Sequence, residues 1–81
     1  MDNEMKAAVA YVVDYAKNCG EYPAHWVNAK NYAVRHGVDK AVAKSAALYV
    51  IDNAETLGVK VKNVPHGPHL RPAPYFAGTI H

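Results

Sequence analysis

The stretch "VKVKNVPHGPHLRPAPYFAGTI", Val59 to Ile80, decides what kind of domain this is. Val59 and Val61 alternate with Lys60 and Lys62, and the pattern continues to Val64. That is the two-residue period of a half-buried strand. The centre of the stretch holds four of the five prolines, two of the five histidines and the only phenylalanine, so it cannot be helical. "YFAGTI" then returns to aromatic and β-branched residues, a second strand. Two short strands joined by a long proline loop make a β-ribbon. Such a ribbon is marginal alone and must pack on the rest of the chain or on a partner.

Upstream the period is helical. A first helix is expected from about Asn3 to Asn18, with Asp2 or Asn3 as its cap and Gly20 at its stop. Met5, Val9, Val12, Ala16 and Cys19 share one stripe, and Lys6, Asp14 and Lys17 lie opposite. Pro23 suits the first turn of a second helix, which runs to about His36 and stops at Gly37. Trp26, Ala29 and Ala33 form its inner stripe. Asp39 caps a third helix that continues to Leu57 and ends at Gly58, with Ala43, Ala47, Val50, Ile51, Ala54 and Leu57 inward. The expected fold class is therefore mainly α: one domain over residues 1–81, with a three-helix bundle (1–58) followed by a short C-terminal β-ribbon or extended docking segment (59–81).

Composition bounds the function. A chain of 81 residues has room for one modest core. Apolar residues make up 51% of it, which is a globular balance. The single Cys19 has no disulfide partner within the chain, which suits a reducing compartment, and a cytoplasmic location is expected. No apolar run approaches the ~20 residues needed to cross a bilayer, and "MDNEMK" does not read as a signal peptide. A formal charge of +2 permits nucleic-acid binding without demanding it.

The segment "YAVRHGVDKAVAKSAAL", Tyr32 to Leu48, carries the most information about function. Ala33 lets two helices cross closely, and Gly37 four residues later can turn the chain with positive φ. Val38 plugs the core, and Asp39 opens the next helix. This spacing resembles the helix-turn-helix, and the following "AETLGVKVKNV" is similar to the way winged helix-turn-helix domains leave the recognition helix for the wing. The resemblance implies that the third helix enters the major groove of double-stranded DNA, with Lys40, Lys44 and Ser45 toward bases or phosphates. Lys60, Lys62 and Arg71 would lie on the wing, and Arg35 would flank. A two-fold homodimer would suit paired half-sites.

A second reading comes from the aromatics. Six tyrosines, one tryptophan and one phenylalanine are many for so small a chain. Tyrosine combines apolar area with a polar tip and is enriched at protein interfaces. Tyr49, Leu70, Tyr75 and Phe76 are the candidates for a protein-partner surface, in a small accessory or inhibitory factor of the phage or mobile-element kind. Tyr75 and Phe76 also suit anchoring the return strand to the helices.

Chemistry is sparse. His66 and His69 stand three apart and His81 ends the chain, but no cysteine lies near them and no zinc-type spacing is present, so no metal or other cofactor is expected. His25 and His36 suit the border of the helical core. Cys19 falls on a buried stripe and reads as structural. With no phosphate loop, nucleophile constellation or small-molecule site legible, the expectation is a non-enzyme without catalytic residues.

Overall fold

The structure, a computed structural model, describes residues 1–20 and 22–80. Helix α1 spans Asn3–Lys17, α2 Trp26–Arg35, α3 Lys40–Asp52 and the single turn α4 Ala54–Leu57. Strand β1 is Ala24–His25, β2 Val59–His66 and β3 Arg71–Thr79. The strands form one antiparallel sheet in the order β1-β3-β2. With 53% helix and 24% strand, the domain is mixed α and β. The expectation of a mainly α bundle with a short ribbon is thereby corrected.

The physical reason for the correction is where the prolines sit. They do not form a long loop: Pro65 lies in β2, and Pro72 and Pro74 lie in β3. Pro65 faces Pro72, and Asn63 faces Pro74. Antiparallel pairs alternate between those that exchange N–H···O bonds and those that do not. A proline–proline pair has no N–H to exchange, so it occupies a non-bonded position, and Asn63–Pro74, two residues along, shares that phase. All three prolines thus sit where the ladder asks nothing of their nitrogens. Only Gly67–Leu70 remains as the turn, closed by Leu70 N–H on the Gly67 carbonyl at 3.1 Å.

The helical layer is fixed by caps and small residues. Asp2 accepts from Met5 N–H at 2.8 Å to start α1, and Asp39 accepts from Ala41 and Val42 N–H to start α3. Ala8, Val12 and Ala16 of α1, Ala29 and Ala33 of α2, and Ala43, Ala46, Ala47 and Val50 of α3 are all fully buried. Alanine at these crossings lets the three backbones approach closely. Between α2 and α3, Gly37 takes φ +95 and Val38 turns inward, as the spacing predicts.

Two helix boundaries differ from expectation. Helix α2 starts at Trp26, because Ala24 and His25 pair with Phe76 and Tyr75 as β1. His25 takes over the capping role, its Nδ1 accepting from Val27 N–H at 3.1 Å. The third helix breaks at Asn53, whose side-chain amide donates to the Tyr49 carbonyl at 2.9 Å, and the single turn α4 then ends at Gly58 with φ +74.

Register sorts the sheet into two faces. Ala24, Phe76 and Val61 fall on one row, and this face meets the helices: Phe76 is fully buried and Val61 half-buried. Val59, two residues before Val61, shares its inner side and is buried, and the extra residue of the bulge lies in β3, where Ala77 and Gly78 (φ +88) stand between the partners of Val61 and Val59. The Cys19 thiol contacts the Phe76 and Ala16 carbonyls, each at 3.3 Å, tying the end of α1 to β3.

Candidate nucleic-acid interface

Helix α3 packs on α1 and α2, which leaves its opposite face open. Lys40, Ala41, Lys44, Ser45, Leu48, Tyr49 and Asp52 are exposed along it. Lys40, Lys44 and Ser45, singled out from the sequence, therefore lie on one accessible surface at helical spacing. Ser45 also lines an open groove between the starts of α1 and α3, with Asp2, Met5, Ala41 and Val42. Asp39 spends its carboxylate on the first amides of α3, so its charge is directed at the helix end rather than along the face. Arg35 is exposed at the end of α2, just before the turn.

The ribbon carries the other cations. Lys60, Lys62 and Arg71 are all exposed. Lys62 stands opposite Tyr75, and Arg71 opposite His66. From Thr56 to Ile80 the chain contains no aspartate or glutamate, so the ribbon's fixed charges are of one sign.

The residues assigned to a protein partner separate into three environments. Leu70 is 70% exposed in the hairpin turn, and Leu48 and Tyr49 are 43% and 37% exposed on α3. Tyr75 is half-buried on the outer face of the sheet. Phe76 is enclosed in the core and offers nothing to a partner; it anchors the return strand.

Sequence reasoning missed a cluster on that outer face. The rings of His25 and His66 lie 4.5 Å apart, and His25 meets the Tyr75 ring edge-on at 5.1 Å. His66 Nδ1 is 3.0 Å from the Tyr75 hydroxyl. Burial, and then the neighbouring His66 imidazole, hold His25 below the ordinary imidazole value. The two histidines are 41 positions apart, and no sequence period links them; the pairing of β3 with both β1 and β2 brings them together.

The remaining titratable contacts lie between α1 and α2. The Tyr32 hydroxyl donates to Asp14 at 3.1 Å, which pushes the phenol above its usual range. The His36 ring stacks on Tyr11 at 4.7 Å, and its Nδ1 lies 2.8 Å from the Tyr32 carbonyl, so that nitrogen is the donor. Among the described residues, no three His, Cys, Asp or Glu side chains converge as metal ligands do, and no helix is long and apolar enough to cross a membrane. His81, considered with the other histidines, lies outside the described residues. Comparison of the chain with protein families, with curated proteins and with solved structures finds no match.

Proposed function

We propose that the protein is a small, non-enzymatic binder of double-stranded DNA that works in the cytoplasm as a regulator, in the manner of a winged helix-turn-helix. The observation that carries the reading is the ribbon that follows α3 and the single turn α4: Lys60, Lys62 and Arg71 are exposed, with no carboxylate side chain anywhere between Thr56 and Ile80. Charge of one sign on a projecting hairpin suits the phosphate backbone. The turn at Gly37 and the uncovered face of α3 supply the second contact, with Lys40, Lys44 and Ser45 available to a major groove and Arg35 beside them. A homodimer on paired half-sites extends the same reading.

The test is fluorescence anisotropy with a labelled duplex at low and moderate salt. Binding that weakens steeply with salt, and that Lys40→Glu with Lys44→Glu abolishes, supports the reading. Absence of binding at low salt sinks it.

A second reading rests on a different observation. Leu48 and Tyr49 leave an apolar patch on the same face of α3, and Leu70 projects from the hairpin. These suit a protein partner, in an accessory or inhibitory factor. Tyr49→Ser and Leu70→Asp, both at accessible positions, would abolish capture of that partner while leaving duplex binding intact.

A further inference from the structure

The His25–His66 pair stands on the face of the sheet that points away from the helices. Register places Lys62, Tyr75, His66 and Arg71 on this same face, in the rows His25–Tyr75–Lys62 and Arg71–His66. His25 cannot take up a proton freely. His25 Nδ1 already accepts the Val27 N–H, at the positive end of α2. A proton added there displaces the helix cap and faces a second imidazole 4.5 Å away.

Among the described residues, no counter-charge is close at hand. Strands β1, β2 and β3 contain no aspartate or glutamate, and neither does α2, whose ionisable residues are Lys30, Tyr32 and Arg35. The groups facing the pair are Lys62 and Arg71, both cationic, and the Tyr75 phenol. Among the described residues nothing on this surface neutralises a charged imidazole pair, and an anion from a ligand would. The lowered affinity of His25 for a proton in the free protein is consistent with that geometry.

We propose that this outer face is a proton-linked phosphate site: the His25–His66 pair becomes charged when a nucleic-acid phosphodiester occupies the surface beside Lys62 and Arg71. The inference rests on the nucleic-acid reading above and adds to it a regulation by pH. An anion that neutralises Lys62 and Arg71 removes the repulsion and supplies acceptors for imidazolium N–H groups. Proton uptake and phosphate binding then favour each other reciprocally. Imidazoles change charge between about pH 5 and 8, so the linkage falls in a physiological window.

The test is duplex affinity by anisotropy at fixed ionic strength, with the full chain, from about pH 8 to about pH 5.5. Wild type should tighten by roughly tenfold as the pH falls. His66→Gln should bind as wild type does near the upper pH and lose most of the gain. His66→Lys, a permanent cation, should bind tightly at both ends of the range. His69→Gln, altered in the turn outside the pair, should keep the wild-type slope. His66 is exposed and caps no helix, so these variants fold, and circular dichroism confirms it at each pH. Inorganic phosphate at millimolar concentration should not reproduce the effect, since one free ion lacks the neighbouring charges of a backbone. Binding that is independent of pH, or a slope retained in His66→Gln, overturns the inference and leaves the nucleic-acid reading standing. No binding at any pH overturns both.

Discussion

Replacing Phe76 with alanine removes the one large side chain in an otherwise small-residue core. Among the described residues twelve hydrophobic side chains are buried; seven are alanines, four are valines and the last is Phe76, which is fully enclosed. The neighbouring alanines cannot expand into the space, and Val12, Val50 and Val59 are each held by their own element. The cavity therefore stays open, and Phe76→Ala should cost about 3–5 kcal/mol, in line with buried phenylalanine truncations. A domain of 81 residues has a total stability of about 4–12 kcal/mol. The loss thus takes about a quarter or more of the stability and can unfold the chain at room temperature. Phe76→Leu keeps most of the volume and should cost only about 1–1.5 kcal/mol. Urea denaturation followed by far-ultraviolet circular dichroism reads both values. A Phe76→Ala protein that loses less than about 1 kcal/mol would show that β3 does not close the core, because burial of this ring is the principal tie between sheet and helices.

Other consequences follow from single residues. Gly37 has φ +95 and open space around it, so Gly37→Val strains only the backbone and should lower stability by about 1–2 kcal/mol, read from the urea midpoint. Asp39→Ala removes the acceptor for two amides at the start of α3 and should cost about 0.5–2 kcal/mol by the same assay. His25 binds its proton less tightly folded than unfolded, so its contribution is intact above about pH 6.5 and declines as the pH falls from there toward the lowered folded value. Thermal midpoints in mild acid should therefore fall less steeply in His25→Asn, which caps α2 without titrating, than in wild type. Tyr32 titrates in the opposite sense: the hydrogen bond to Asp14 stabilises its neutral form, and that support disappears as the pH rises through its raised value. Asp14→Asn should bring one tyrosine back toward the ordinary range in an ultraviolet pH titration.

Much of the helical layer was legible because its signals are local. Asp2, Asp39 and Gly58 mark ends that the structure keeps, and the Ala33–Gly37–Val38 spacing marks the turn. The sheet was harder to read for reasons that are also physical. Proline argues against a strand only where its nitrogen is needed, and here register frees Pro65, Pro72 and Pro74 from that need. Strand β1 has two residues, too few to show any period, and it exists because β3 lies alongside. Missing β1 meant missing the His25–His66 cluster, since that contact depends on long-range pairing. The buried Phe76 also ties β3 to the helices. The exposed lysines of α3 and β2, by contrast, are where helical and strand spacing put them, while Arg71, read as part of the proline loop, opens β3.

The central claim is that α3 and the ribbon together hold a nucleic-acid backbone, and the salt dependence of duplex affinity tests it most directly. Six cations are assigned to the interface: Arg35, Lys40, Lys44, Lys60, Lys62 and Arg71. If each displaces one counterion, log affinity against log salt should fall with a slope of about −5, and Lys60→Gln with Lys62→Gln should reduce it by about 2. A slope near zero, or one unchanged by the loss of both ribbon lysines, would contradict the account.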